Sequence, residues 1–282
     1  MKKIAFLNPK GGVGKTTSVI NIGAGLANSG KRILLIDMDP QEHLTYSLGM
    51  EGKKNRNIFQ LLTGEIRLEE VVVQRGKMDI IPASQRLEEL EMKLAYIKKS
   101  DLLKNYLKFL NGYDYVLIDC PPNLNILTQN AMVAADEIYI PVQTEFLALQ
   151  GMGRITNILK KIRKRNNPKL KIAGIIGTRF DSRKNLSKDV VLTIREFFGE
   201  KLFNSLVSDN IDLAVAPSYR KTIFEYKPNS KGAKDYMKIC EEILKRDLDQ
   251  KEPSPTSPTK ENSFINLIKK DLDKHKNKKN KK

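Results

Sequence analysis

Three short stretches of this sequence carry residues whose types and spacing could do chemistry. The first, Asn8-Pro9-Lys10-Gly11-Gly12-Val13-Gly14-Lys15-Thr16-Thr17, follows the apolar run Ile4–Leu7. Glycines at 11, 12 and 14 let backbone N–H groups close around phosphate oxygens, and a helix starting at Thr16 points its positive end at them. Lys15 would reach the β- and γ-phosphates of a nucleotide, and the Thr16 hydroxyl would bind Mg²⁺. A dinucleotide fingerprint needs a last glycine where this chain has Thr17, so that reading fails. The common phosphate-loop pattern needs glycine where this chain has Pro9, and the loop gains a second lysine, Lys10. The second stretch, Asp37-Met38-Asp39-Pro40-Gln41, ends the run Ile33–Ile36. Two carboxylates one residue apart at the end of an apolar strand are costly to bury unless a metal or hydrogen bonds satisfy them. One acid would support Mg²⁺ and the other orient a water; a helix cap beside a solvated acid is the competing reading. The third stretch, Tyr115-Val116-Leu117-Ile118-Asp119-Cys120-Pro121-Pro122, ends its strand on Asp119, placed to hold the Mg²⁺ shell. Strand-end acids are common singly; the three motifs in this order are specific. Cys120 reads as a packed small side chain rather than a redox thiol.

Such groups converge only if the chain places them at one edge. The apolar runs Ile4–Leu7, Ile33–Ile36, Tyr115–Ile118, Ile138–Val142 and Ile172–Ile176 are continuous rather than alternating, as in strands buried on both faces. Between the first two, Val19, Ile22 and Leu26 recur at helical spacing and Gly30 stands where a helix C-cap would. Strand, helix and strand in repetition predict a doubly wound α/β fold, a mostly parallel sheet flanked by helices. Ligands of such sheets sit at the carboxyl ends of the strands, where all three motifs fall.

Composition sets the outer limits. The chain has 282 residues, 40% hydrophobic and 29% charged, with a net charge of +17, which describes a globular protein with a polyanionic partner. No run reaches the ~18 apolar residues of a membrane span, and the start is too short for a signal-peptide core, so a cytoplasmic protein is expected. Two cysteines and two histidines offer no disulfide scaffold or metal-ligand spacing. Residues 251–282 hold ten Lys and four acids, a local charge of +6. The predicted organisation is a nucleotide-binding domain over 1–248, a Pro/Ser/Thr-rich linker over 249–262, and a basic amphipathic tail over 263–282.

The three motifs together resemble the deviant-Walker ATPases of the ParA/MinD family, specifically its short, Soj-like ParA branch. The resemblance extends through Pro141-Val142-Gln143-Thr144-Glu145, Ala216-Pro217-Ser218, Lys221-Thr222-Ile223 and Ser230-Lys231-Gly232-Ala233, covering residues 2 to 246. It implies a slow ATPase that forms a homodimer around two Mg²⁺-ATP molecules. By the resemblance, Lys10 contacts the phosphates held by the other subunit, Asp39 positions the hydrolytic water, and Thr16, Asp37 and Asp119 surround the Mg²⁺. Gly11, Gly12, Val13, Gly14, Lys15 and Thr17 complete the phosphate loop, and Thr178, Arg179, Ser208 and Asn210 fall in the base-contacting region, although the family usually has proline where Ser208 stands.

The family implies partners too: double-stranded DNA bound without sequence preference in the ATP state, and a ParB-like activator, in a nucleoid-associated protein that segregates plasmid or chromosome. Arg183 matches one DNA-contacting position, whereas Asp209 and Asp212 replace basic residues. The family's DNA face is therefore weakened or moved. Lys160, Lys161, Arg163, Lys164, Arg220 and the lysine tail are the candidates to compensate, with a solvated helix end favoured by the macrodipole as the plainer reading of 160–165. Phe264, Ile265, Leu267 and Ile268 also permit a MinD-like, membrane-cycling alternative. Their small apolar face and the ParA-type motifs argue against a membrane partner.

Overall fold

Every apolar run falls on a strand of one sheet, with Leu7 one residue beyond its strand. The computed structural model describes residues 1–51, 55–145 and 148–249. The amphipathic segment and the lysine tail lie outside them. The strands are β1 (Lys2–Phe6), β2 (Ile33–Asp37), β3 (Val73–Arg75), β4 (Met78–Ile81), β5 (Tyr115–Asp119), β6 (Glu137–Gln143) and β7 (Lys171–Thr178). They pair in the order β3-β4-β2-β5-β1-β6-β7, and every pairing but β3 with β4 is parallel. The prediction of a mostly parallel, helix-flanked sheet holds.

Because both faces of the sheet are apolar, each needs its own cover. Helices Lys15–Asn28 and Lys231–Asp249 pack on one face through Val19, Ile22, Leu26, Ile239 and Ile243. Helices Leu87–Ile97, Ile126–Ala134, Ala148–Arg165 and Asn185–Phe198 bury the other. Each fully buried Leu or Ile contributes roughly 1.5–3 kcal/mol, so these two layers account for the body's cohesion. The first helix ends as expected, with Gly30 in a left-handed turn at φ 81° just beyond its cap.

Helices Lys15–Asn28 and Lys231–Asp249 approach so closely that a Cβ at Gly25 would stand 2.6 Å from the Cys240 sulfur. Gly25→Ala is therefore expected to destabilise the chain by about 1–3 kcal/mol despite alanine's better helix propensity. Urea denaturation would read this as a lower midpoint; an unchanged or raised midpoint would refute the close packing. The last helix is also fastened at its far end. Tyr115 donates its hydroxyl to Asp247 at 2.5 Å, and Lys2 bonds the same carboxylate. These bonds tie the helix to the starts of β5 and β1.

Candidate active site

The phosphate-loop residues sit between β1 and helix Lys15–Asn28, as the motif requires. Gly12 and Gly14 adopt φ 71° and 85°, left-handed conformations that glycine enters without steric cost. The loop is held from behind. Asn8 donates its side-chain amide to the Pro141 carbonyl at 2.8 Å, Gln143 to that of Gly12 at 2.9 Å, and the Thr178 hydroxyl to that of Val13 at 2.9 Å. Gln143 of β6 and Thr178 of β7 thus hold two of the loop's carbonyls.

Beneath it lie the acids. The parallel register of β2 on β5 places Asp37 opposite Asp119, and both are fully buried. Asp37 accepts the backbone N–H of Asp39 at 3.1 Å and both the N–H and the hydroxyl of Thr45, at 2.9 and 2.7 Å. Asp119 accepts the Thr16 hydroxyl on Oδ2 at 2.6 Å, while its Oδ1 is buried with no partner. Burial pushes the Asp37 carboxyl up to about 7, against the pull of the Thr45 bonds. Burial, with Asp37 alongside, holds Asp119 well above the ordinary carboxylate range. Paired buried carboxyls with an orphaned oxygen, touching a threonine hydroxyl, are what a small divalent cation would complete. Among the described residues no three His, Cys, Asp or Glu side chains converge on one point. A cation here would take its other ligands from phosphate oxygens and water, as Mg²⁺ habitually does. The residues present fit it.

A cleft of about 540 Å³ opens above these groups, running from the loop past Asp39 to Thr178, Arg179 and the Ser208–Asn210 segment. Asp39 is 5% exposed and accepts the Gln41 N–H at 3.0 Å, which orients its carboxylate. At the far end, the Ser208 N–H donates to Asp235 at 2.9 Å and the Asn210 side chain caps the short helix Ile211–Val215. Arg179, in a left-handed conformation at φ 50°, reaches to 4.0 Å from Asp209. Val207, Leu213 and Tyr236 add an apolar wall, of which only Tyr236, just after the Ser230–Ala233 match, stood near a sequence motif.

Lys10 is placed differently. Its Nζ donates to Gln143 Oε1 at 2.9 Å and to Glu145 Oε2 at 3.0 Å, and it does not line the cleft. The candidate DNA contacts also divide. Lys160, Lys161 and Lys164 are exposed on the last turns of helix Ala148–Arg165, beside a half-buried Arg163 that donates to the Leu170 carbonyl. Arg183 grips both oxygens of Asp181 at 3.0 Å, which holds that carboxyl down to about 2. Arg220 is bonded to Glu51. Both arginines are thus paired with carboxylates at the surface. Cys120 is fully buried, and burial drives its thiol well up, as packing rather than redox chemistry requires.

A mostly parallel sheet, a glycine-lysine loop opening a helix, and acids at the ends of the neighbouring strands define a P-loop nucleotide hydrolase. Residues 1–172 match the family model described as AAA domain, and residues 94–271 that of 4Fe-4S iron sulfur cluster binding proteins of the NifH/frxC family. The chain is 38% identical to the chromosome partitioning protein ParA of Caulobacter vibrioides, over 89% of this chain and 96% of that one. It is 41% identical to the chromosome-partitioning ATPase Soj of Thermus thermophilus, over 87% and 96%. Among solved structures, that of cobyrinic acid a,c-diamide synthase from Mycobacterium smegmatis with bound ATP analogue and magnesium superposes with a TM-score of 0.76 at 32% identity, covering 92% of this chain and 100% of that one. The chain belongs to the ParA/Soj family of partitioning ATPases.

Proposed function

We propose that this chain hydrolyses Mg²⁺-ATP to switch between a monomer and a nucleotide-sandwich dimer, that the dimer holds duplex DNA without sequence preference, and that hydrolysis releases it. The observation that carries the reading is the unpartnered Asp119 oxygen beside Asp37 and the Thr16 hydroxyl, directly under the glycine-lysine loop.

Each residue then has a task. The Gly11–Gly14 backbone and the start of helix Lys15–Asn28 hold the phosphates, and Lys15 offsets their charge. Thr16, Asp37 and Asp119 would hold Mg²⁺, which would supply positive charge against the phosphate oxygens. Asp39 orients the attacking water. Thr178, Arg179, Ser208 and Asn210 flank the base, with Val207 and Tyr236 against its apolar surface. Lys10 exchanges Gln143 and Glu145 for the phosphates on the partner subunit, where a cation offsets the repulsion of two triphosphates.

Membership among chromosome-partitioning proteins supports a cargo-positioning cycle on the nucleoid, with a ParB-like protein as the activator of hydrolysis. No helix among the described residues is long and apolar enough to cross a membrane. Light scattering tests the switch. With Mg²⁺-ATP and hydrolysis blocked, the wild type is expected to double in mass and to gain salt-sensitive binding to arbitrary duplex DNA. Lys10→Ala is expected to stay monomeric and lose that gain; a Lys10→Ala dimer of wild-type affinity would overturn the role of Lys10.

A further inference from the structure

The described residues end at Asp249, on the helix that packs one face of the sheet. On the other face, a cleft of about 390 Å³ opens between the turn 64–67 with helix Leu68–Val71 and the exit of helix Leu102–Leu107. Its floor is apolar. Ile66 and Tyr106 are half-buried against the core and Leu68 is buried, whereas Phe109 at the rim is 76% exposed. A single exposed phenylalanine is ordinary; one that rims an apolar floor is a contact surface without its partner.

The rim is acidic in a chain that carries a net charge of +17. Glu65, Glu69 and Glu70 line the cleft together with Arg67. Arg67 reaches Glu70 at 2.8 Å, and nearby Arg56 donates to the Glu70 and Val72 carbonyls at 2.6 and 2.8 Å. Glu65 accepts the Thr63 hydroxyl at 2.9 Å, and among the described residues neither it nor Glu69 is in an ion pair. Two carboxylates thus stand without an ion-pair partner beside an apolar floor. That combination repels a polyanion and selects an occupant both cationic and apolar.

The chain carries such a segment. Phe264, Ile265, Leu267 and Ile268 recur at helical spacing, and Lys269 and Lys270 follow them. Residues 250–263 separate this segment from Asp249, a tether that spans up to about 46 Å. The cleft lies within that reach. Asp247 accepts the Tyr115 hydroxyl at 2.5 Å, and the chain from Tyr115 back to Phe109 covers at most about 22 Å. A tether of this length gives an effective concentration on the order of millimolar, so a weak contact suffices. We infer that residues 264–270 dock in this cleft of their own chain, setting apolar side chains against Ile66, Leu68, Tyr106 and Phe109, and Lys269 and Lys270 toward Glu65 and Glu69. No residue of the cleft belongs to the phosphate loop or its acids, so the inference stands apart from the nucleotide cycle proposed above.

The chain has no tryptophan, so Phe264→Trp in the full chain is a single reporter. Its emission is expected to be blue-shifted, and its quenching by acrylamide reduced, relative to the same chain in urea. Adding Phe109→Ser is expected to lower the docking constant by on the order of tenfold and to expose the reporter, whereas Phe109→Leu should keep it covered. Adding Glu65→Lys/Glu69→Lys should expose it too, by setting lysine against lysine. Without that charge reversal, docking should weaken as potassium chloride is raised. Both cleft positions are exposed in the acidic pair, so a folding defect in the Phe109 variant leaves the charge reversal to decide. ATP turnover should be unchanged throughout. A reporter as open to acrylamide as in urea overturns the inference, as does a covered reporter that neither cleft variant releases. Protection that rises with protein concentration would assign the segment to a second copy. Protection that appears only with phosphatidylglycerol vesicles, or only with duplex DNA, would assign it to lipid or to nucleic acid. Each of these three results also overturns the inference, and none of them touches the assignment of the nucleotide site.

Discussion

Asp119→Asn is expected to make the nucleotide-free chain more stable and the nucleotide-loaded chain inert. The carboxyl it removes is fully buried, faces Asp37 across the β2–β5 ladder, and has an oxygen without a partner. The sign of the pH effect follows from direction alone. Both acids bind a proton more tightly in the folded chain than in the unfolded one. Their protonated forms thus contribute stability that is complete below the ordinary carboxylate value of about 4 and is lost as pH rises, for Asp37 through about 7. The nucleotide-free wild type should therefore melt at lower temperature at pH ~8 than at pH ~5.5, and Asp119→Asn should flatten that dependence. Each kcal/mol regained at pH ~8 would read as roughly 2–4 °C. Turnover should meanwhile fall by at least about a hundredfold, the scale set by losing one organised electrostatic partner of the reacting phosphate. Differential scanning fluorimetry beside a phosphate-release assay measures both. A variant that melts lower at pH ~8 and still hydrolyses ATP would contradict the cation reading of this pair.

Asp39→Ala is expected to separate binding from chemistry. Asp39 lies in the cleft wall with its carboxylate oriented by the Gln41 N–H, while the Thr16 hydroxyl is bonded to Asp119. Removing it should leave the phosphate loop and its supports in place, so nucleotide affinity should change little. Loss of a group that positions the attacking water should lower kcat by about 10²–10⁴-fold. Single-turnover measurement with ATP prebound distinguishes this from weakened binding. Turnover surviving the change would remove Asp39 from the mechanism.

The sequence disclosed the centre of this molecule better than its margins. Ile33–Ile36 and Tyr115–Ile118 were legible as strands because burial on both faces leaves an unbroken apolar run. β3 and β4 were not. Val73–Arg75 is a short edge strand with an exposed middle residue, and Asp79 interrupts the apolar pattern of Met78–Ile81 to accept the Tyr113 hydroxyl at the sheet margin. At the site, Gly12, Gly14, Lys15 and Thr16 were legible because few other residues fit such a loop. Thr45 and Gln143 gave no comparable signal, since bonding Asp37 or the Gly12 carbonyl depends on where a neighbouring segment lands. The ion pairs of Arg183 with Asp181 and of Arg220 with the distant Glu51 depend in the same way on where a neighbouring segment lands.

β2 is buried at all five positions, with isoleucine or leucine pointing to both sides of the sheet. Hydrophobicity is thus nearly indifferent to whether this strand slips by one residue against β5, a shift that would turn Asp37 to the opposite side and leave it among aliphatic groups. What penalises the slipped pairing is the carboxylate: it would forfeit the Thr45 amide and hydroxyl and strand a polar group in a dry interior. The acid that taxes the folded state is therefore also what fixes alignment at the middle of the sheet, and a neutral aliphatic residue at 37 would remove the strain and the selectivity together.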